Sequence, residues 1–280
     1  MSGINSSINY ISLFNVSSGS TDPLLNTLYN FAATNTPSGA LNALQNAETN
    51  ETKDVALEAQ QPSIARDVAN FTKAVQGAAS VKQLLSNPTV LKVLLTANGL
   101  SDQISYTALA QKALMSNPSN SSSLANTLSN TNWASAAKAY NFYGNGLSNI
   151  QLPSTIASIT SAYTETMWRQ SLDATTPGLS NALTFRTSAS AATSVMAILG
   201  NSVLRDVVTT ALGLPLEIAL QPIEAQEKAI STQFDVTKLQ DQKFVDKFIQ
   251  QYLVAKATTA STTASTTPTD PMSLISSLTA

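Results

Sequence analysis

Two stretches of this chain carry the same pattern of helix starts and stops, 114 positions apart. Residues 71–100 align with residues 185–214 without a gap, and eleven of the thirty positions are identical. Ser and Asn favour the position before a helix, and Gly favours the position after one because it accepts a positive φ. The identical pairs at such positions are Ser80/Ser194, Asn87/Asn201, Gly99/Gly213 and Leu100/Leu214. The alignment favours an internal duplication; convergence of two capped helices of similar length is the alternative.

Apolar residues recur at helical spacing along most of the chain. Ile64, Phe71 and Val75, for example, share one face of a helix. No sustained alternation of apolar and polar residues indicates a strand. We therefore expect an all-α fold, a multihelical bundle with an internal pseudo-repeat over about 62–143 and 176–256. The two halves are expected to pack together and to share one core.

The ends of the chain differ in composition from its middle. Residues 1–61 are interpreted as a partly helical N-terminal extension with a flexible start, including a helix over 22–34. Residues 62–256 form the predicted multihelical domain made of two related halves. Residues 257–280 are Thr/Ser-rich, and a segment without apolar anchors does not offset the entropy lost on ordering, so a flexible, disordered tail is expected. The apolar patch 272–278 within it is either a docking segment or a frayed end.

Composition excludes several kinds of chemistry. The 280 residues contain no cysteine and no histidine, which removes disulfides, thiolate nucleophiles and the usual zinc sites. Charged residues make up 11% and the net charge is -2, with no basic cluster of the kind that binds nucleic acid. No apolar run is long enough for a transmembrane helix. We predict no cofactor, no nucleic-acid partner and no transmembrane segment.

Two short patterns resemble catalytic or metal-binding motifs. Ser135 and Lys138 have the S-x-x-K spacing in which a lysine activates a serine, but the companion motifs are missing. Glu224 and Glu227 lie one helical turn apart, as in carboxylate metal sites, yet a position near a helix N-terminus explains them better. We therefore predict no catalytic, cofactor-binding or metal-ligating residue, and we expect that the protein is not an enzyme.

Four aromatic residues cluster around the end of one predicted helix: Trp133, Tyr140, Phe142 and Tyr143. Such a cluster either stacks on a carbohydrate or a base, or packs in a core with the tyrosine hydroxyls hydrogen-bonded. Core packing is the favoured interpretation.

Four segments, in this order, resemble a known family: ASVKQLLSNPTVLKVLLTANGLSD, SSSLANTLSNTNWASAAKAYNF, ILGNSVLRDVVTTALGLP and FDVTKLQDQKFVDKFIQQY. The sequence is similar to the bacterial domain-of-unknown-function 1217 family over roughly residues 62–256. The resemblance implies a multihelical fold. Members tend to be encoded among flagellar genes of alphaproteobacteria, which implies a role around the flagellum. The family brings no established activity and no catalytic residues.

These observations lead to two functional expectations. The first is a non-enzymatic structural or accessory protein of the bacterial flagellum, acting through protein–protein contacts with partners that include flagellar components. The alternative is a small-molecule or peptide binding module with its site in the cleft between the two repeat halves. The localisation is expected to be flagellum-associated, with export that needs no cleaved signal; a cytoplasmic location is the alternative. The oligomeric state stays open.

Overall fold

A computed structural model describes residues 36–265 of the chain, and all regular structure within that range is helical. The expected all-α, multihelical class is confirmed. The α-helices are α1 (Pro37–Glu58), α2 (Pro62–Gly77), α3 (Val81–Leu85), α4 (Pro88–Ala97), α5 (Thr107–Leu114), α6 (Leu124–Thr127), α7 (Asn132–Tyr140), α8 (Phe142–Asn145), α9 (Pro153–Leu172), α10 (Leu179–Ser188), α11 (Val195–Gly200), α12 (Ser202–Ala211), α13 (Ile223–Ser231) and α14 (Gln242–Ser265). The predicted helix over 22–34 and the apolar patch 272–278 lie outside the described residues.

Polar side chains cap the N-termini of the matched helices. The Ser80 hydroxyl accepts a hydrogen bond from the backbone N–H three residues later at 3.2 Å, and the Ser194 hydroxyl does the same at 3.1 Å. Asn87 and Asn201 each accept from the two N–H groups that lie two and three residues later. These bonds satisfy donors that have no partner inside the helix. All four predicted caps are confirmed.

The two matched helices also end in the same way. Gly99 and Gly213 both have φ of +66°, a conformation that costs glycine little. The N–H groups of Leu100 and Leu214 then donate to the carbonyl oxygen five residues earlier, at 2.8 Å and 2.9 Å. This is the hydrogen bond of a Schellman-type helix end. The predicted stops are confirmed, while the internal duplication of residues 71–100 and 185–214 stays a prediction.

The helices surround two hydrophobic cores. The first core contains the buried apolar residues between 64 and 163, and the second contains those between 168 and 257, together with three residues of α1. The expectation of one core shared by two halves is therefore wrong. The long helix α9 explains the division, because Tyr163 lies in the first core and Trp168, little more than one turn later, lies in the second.

The two groups of helices, which we call the first set (α2–α9) and the second set (α10–α14), have the same central contacts. In the first set, α2, α4 and α9 contact one another, and in the second set α10, α12 and α14 do so. The sets meet at a close approach of backbone. A Cβ atom at Gly200 would lie only 2.4 Å from the carbonyl oxygen of Ser129, so the end of α11 requires a residue without a side chain.

The last helix extends further than expected. It continues to Ser265, so residues 257–265 of the predicted disordered tail are helical. Alanine favours a helix strongly, and it occupies positions 257, 260 and 264. The N-terminal extension is partly helical, as expected, because α1 occupies residues 37–58 of it.

Candidate functional site: two Asp–Tyr–Lys clusters and the face beneath α1

One carboxylate joins the three central helices of the first set. Lys92 on α4 places its Nζ 2.6 Å from Oδ2 of Asp67 on α2, and the Tyr163 hydroxyl on α9 donates to the same oxygen at 2.7 Å. The Lys92 Nζ also lies 5.9 Å from the centre of the Tyr163 ring. The Asp67 side chain is 13% exposed and that of Lys92 is 43% exposed, so this cluster opens to solvent on the lysine side.

A second carboxylate joins the three central helices of the second set. Oδ2 of Asp206 on α12 accepts from the Tyr252 hydroxyl at 2.7 Å and from the Asn181 Nδ2 at 2.9 Å. Its other oxygen, Oδ1, lies 2.9 Å from the Lys256 Nζ. Tyr252 and Lys256 are both on α14, and the lysine Nζ lies 5.5 Å from the tyrosine ring centre.

The hydrogen bonds set the charges of both clusters. Burial raises the pKa of Asp206, but the bonds from Lys256, Tyr252 and Asn181 outweigh it, so its pKa lies below the usual value. The pKa of Asp67 is lowered in the same way, against its burial, by Lys92 and Tyr163. Burial together with the bonded carboxylate raises the pKa of Tyr163 to about 12, and burial and the negative charge of Asp206 raise the pKa of Tyr252.

These protonation states suit ion pairing. The carboxylates remain ionised and accept several hydrogen bonds, while the tyrosines stay protonated as donors. A carboxylate held in this way is a weak base. The arrangement binds three helices together in each set, and charge-assisted hydrogen bonds of this kind are stronger than neutral ones.

Two arginines hold α1 against the rest of the protein. Arg169 on α9 pairs with Glu165 on its own helix and, at 3.4 Å, with Glu51 on α1. Arg186 on α10 places Nη1 2.9 Å from Oε1 of Glu48 on α1. We call the surface that α9, α10 and α14 present to this helix the α1-binding face.

Two grooves flank α1. One of about 580 Å³ lies between the C-terminal half of α1, α2 and α9, and its walls are small or apolar residues such as Val55, Ala56 and Ala157, without a charged side chain. The other, of about 300 Å³, lies between α1 and α14 and includes Leu44 and Ile249. The first groove lies where the helices of the two cores meet.

An exposed apolar segment follows α12. Residues 215–222 begin and end with proline and include a 3₁₀ turn over Leu216–Leu220. The side chains of Leu216 and Leu220 are each 87% exposed, more than any other large apolar side chain that the structure describes. Scattered apolar residues on a surface are ordinary, but a pair of leucines so fully exposed on one turn is not.

The residues of the two motif-like patterns in the sequence lie on exposed helix surfaces. The Ser135 hydroxyl donates to the carbonyl oxygen of Thr131, and Lys138 is exposed. Glu224 and Glu227 are exposed, and within residues 36–265 no group of three or more acidic side chains stands close enough to hold a metal ion.

The aromatic cluster divides between core and surface. Trp133, Tyr140 and Phe142 are buried in the first core, as the favoured interpretation predicts, and Tyr143 is exposed. The Tyr140 hydroxyl accepts a hydrogen bond from the Asn98 Nδ2 at 2.6 Å, so the buried hydroxyl has a partner.

Sequence reasoning missed both Asp–Tyr–Lys clusters. Asp67 and Tyr163 are 96 residues apart, and no local pattern links them. One signal was present: Lys92 is the single charge within the apolar stretch of α4, and such a charge needs a partner when the helix is packed.

The geometry defines an all-α protein with two hydrophobic cores that one long helix joins. The chain belongs to the family described as "Protein of unknown function (DUF1217)", whose model matches residues 97–245, more than half of its length. The fold is also similar to that of an Agrobacterium tumefaciens protein solved by X-ray crystallography in a structural genomics programme. That similarity has a TM-score of 0.66 at 21% identity and covers 77% of this chain and 91% of the other.

A comparison with curated proteins finds no match. Within residues 36–265, none of the helices combines the length and the apolar character that crossing a membrane demands.

Proposed function

We propose that this chain is a non-enzymatic structural or accessory protein of the bacterial flagellum that acts through contacts with other proteins. The observation that carries the protein-contact part is the exposed segment of residues 215–222, with Leu216 and Leu220 almost fully in solvent. Burying two leucines against a partner is favourable because apolar area leaves water. The resemblance to a family encoded among flagellar genes supports the flagellar part.

The charge distribution fits this role. The lysine of each Asp–Tyr–Lys cluster is engaged with a carboxylate, and the cluster joins helices of one set. Charged side chains make up 11% of the chain, so contacts with a partner would depend mainly on apolar and uncharged polar groups. The core of a protein–protein interface is typically depleted of charge.

A gene deletion tests the proposal directly. The deletion strain is expected to lose motility or assembled flagella, and the wild-type gene is expected to restore them. A deletion strain with normal flagella and normal swimming would contradict the flagellar role.

Complementation with the Leu216→Ser/Leu220→Ser double variant tests the contact surface. We expect this variant to fold, as judged by circular dichroism, and to fail to restore motility. Met115→Ser removes another exposed apolar side chain and serves as the control that restores it. Full restoration by the double variant would show that the contact lies elsewhere.

A second candidate is a binding module for a small molecule or a peptide, with its site between α1 and the first helix set. The groove of about 580 Å³ between α1, α2 and α9 favours it, because its size falls in the range of ligand pockets. Its uncharged walls call for an apolar ligand. Saturable binding of such a ligand to the wild-type chain, lost when Ala157→Phe fills the groove, is the expected result.

A further inference from the structure

The helix α1 is attached to the protein by few apolar contacts. Of its 22 residues, Ala40, Leu44 and Ala47 are buried. In α14, which has 24 residues, most of the buried side chains are large and include Phe248 and Tyr252. Because apolar stabilisation scales with the area removed from water, these three residues, with Ala43 and Val55 half-buried beside them, hold α1 less strongly than the large side chains hold α14.

The packing around α1 is incomplete. Grooves of about 580 Å³ and about 300 Å³ lie along it, one beside its C-terminal half and one facing α14. Both grooves are open to solvent, so larger side chains at the positions of α1 that line them have room. The residues of α1 that line these grooves include Gln45, Thr52 and Ala56, which are too small or too polar to fill them.

The charged contacts of α1 are also incomplete. Arg169 is 8% exposed, and its Nε has no hydrogen-bond partner among the described residues. Glu51 of α1 reaches this arginine only at 3.4 Å, whereas Glu48 reaches Arg186 at 2.9 Å. A buried donor without an acceptor is costly, so a carboxylate placed closer to Arg169 would bind better than Glu51 does.

Two of the three helices of the α1-binding face, α9 and α10, lie within the part of the chain that the family model matches, and α1 does not. The family match covers residues 97–245, which include Arg169 and Arg186, whereas α1 occupies residues 37–58. Only residues 59–61 connect α1 to α2, which belongs to the first core, yet the buried residues of α1 lie in the second core.

We propose that the α1-binding face is a docking site for a helix of a partner protein, and that α1 is an intramolecular strap which this helix displaces. The partner helix carries two carboxylates one turn apart, to pair with Arg169 and Arg186, and larger apolar side chains at the positions that face the two grooves. Charge complementarity identifies its acidic character, and the uncharged, small and apolar walls of the groove of about 580 Å³ identify its apolar face. This proposal rests on one part of the proposed function, namely that the chain acts through contacts with other proteins. It does not depend on the flagellar role.

Thiol labelling measures whether the strap opens. The chain contains no cysteine, so a single introduced one reports its own exposure. Ala47→Cys on α1 is expected to react at least about 100-fold faster than Ala182→Cys, which is buried on α10 in the same core, because locally opening segments expose their contacts far more often than a core does. Equal protection of the two thiols would overturn the proposal.

Peptide binding to the full chain tests the docking face. Glu48→Arg/Glu51→Arg in the chain weakens the strap and leaves both arginines of the face intact. The probe is a fluorescent peptide of residues 37–58 with Gln45→Leu, Thr52→Leu and Ala56→Leu, and the native-sequence peptide is its comparator. We expect saturable one-to-one binding by anisotropy, about tenfold tighter for the leucine peptide because three side chains fill the grooves.

A leucine peptide that also carries Glu48→Arg and Glu51→Arg is the matched control and should lose at least about tenfold in affinity. Absence of binding by the leucine peptide would overturn the proposal. So would a stable wild-type dimer with exchanged α1 helices, because the occupant would then be a second copy of this chain. If the charge-reversed chain fails to fold, the labelling rates of the Ala47→Cys and Ala182→Cys variants test the proposal instead. Neither measurement uses a flagellar component. The docking proposal can therefore fail while the motility results support the flagellar role, and the flagellar role can fail while the peptide binds.

Discussion

Each helix set joins its three central helices through a partly buried carboxylate, but the two sets use different residues to do so. In the alignment that relates them by 114 positions, Lys92 of the first set corresponds to Asp206 of the second, so equivalent positions carry opposite charges. Extended one turn upstream, the same register pairs Asp67 with Asn181. The second set restores a cation through Lys256 on α14. The feature common to both sets is a carboxylate that accepts hydrogen bonds from a tyrosine hydroxyl and a lysine. The residue types at these equivalent positions are not conserved between the sets.

The comparison shows that a partly buried carboxylate requires hydrogen-bond donors around it, whichever helix carries the carboxylate. A carboxylate next to a core is costly unless donors surround it, and any helix that presents those donors satisfies it. The first set uses two donors and the second uses three, because Asn181 adds one. The two sets should therefore respond differently to matched substitutions.

The largest expected difference lies where the sets touch. Gly200→Ala puts a Cβ atom 2.4 Å from the Ser129 carbonyl oxygen, and because backbone cannot easily move away, we expect a loss of about 3 kcal/mol in the free energy of unfolding. At the aligned position, Ser86→Ala is exposed and should cost less than about 0.5 kcal/mol. Denaturant unfolding followed by circular dichroism measures both. Equal effects would mean that the close approach between the sets does not exist.

Removing each central carboxylate should have the next largest effect. Asp206→Ala leaves Tyr252, Lys256 and Asn181 without their acceptor, and we expect a loss of about 2 kcal/mol. Asp67→Ala should cost about 1 kcal/mol, because it loses two donors and the half-exposed Lys92 turns to water. Tyr163→Phe and Tyr252→Phe, which keep the ion pairs, are the controls. A larger effect at Asp67 would reverse the order of the two clusters.

The pH dependence of stability should reflect both clusters. The folded-state pKa values of Asp67 and Asp206 are lowered, so their contribution is present above about pH 4 and is lost as the pH falls through the folded-state values. Burial raises the pKa of Asp173 instead, so this group gains stability as the pH falls and opposes the loss. Unfolding free energies measured between about pH 2 and pH 6 check this.

Variants separate these contributions to the pH profile. Asp67→Asn and Asp206→Asn should each flatten the decline in acid, and Asp173→Asn should steepen it. Profiles identical to wild type for all three would rule out the assigned shifts in pKa.

The smallest effects should be the same in both sets. Ser80→Ala and Ser194→Ala each remove one cap of nearly identical geometry, and each should cost about 1 kcal/mol. Ser80→Thr and Ser194→Thr keep the accepting oxygen and serve as controls. Clearly unequal losses in the alanine pair would weaken the interpretation of the two stretches as a duplication.

Much of the helix pattern was predictable from short stretches of sequence. The caps at Ser80 and Asn87, and the stop at Gly99, depend on hydrogen bonds that span two to five residues, so a local pattern contains all their partners. The extent of α14 was less predictable, because residues 258–265 contain no large apolar side chain and continue a helix that begins in the core.

The two cores, the Asp–Tyr–Lys clusters and the position of α1 were decided by the tertiary structure. Asp67 meets Tyr163 across 96 residues, and Glu51 meets Arg169 across 118, so nothing near either residue in the sequence identifies its partner. By itself, the sequence determined where most helices begin and end, since these bonds are local. The tertiary structure decided which helices meet and which charges they bring together. Long helices such as α9 pack against distant parts of the chain. The free energy of this packing comes from many contacts between residues that are far apart in the sequence.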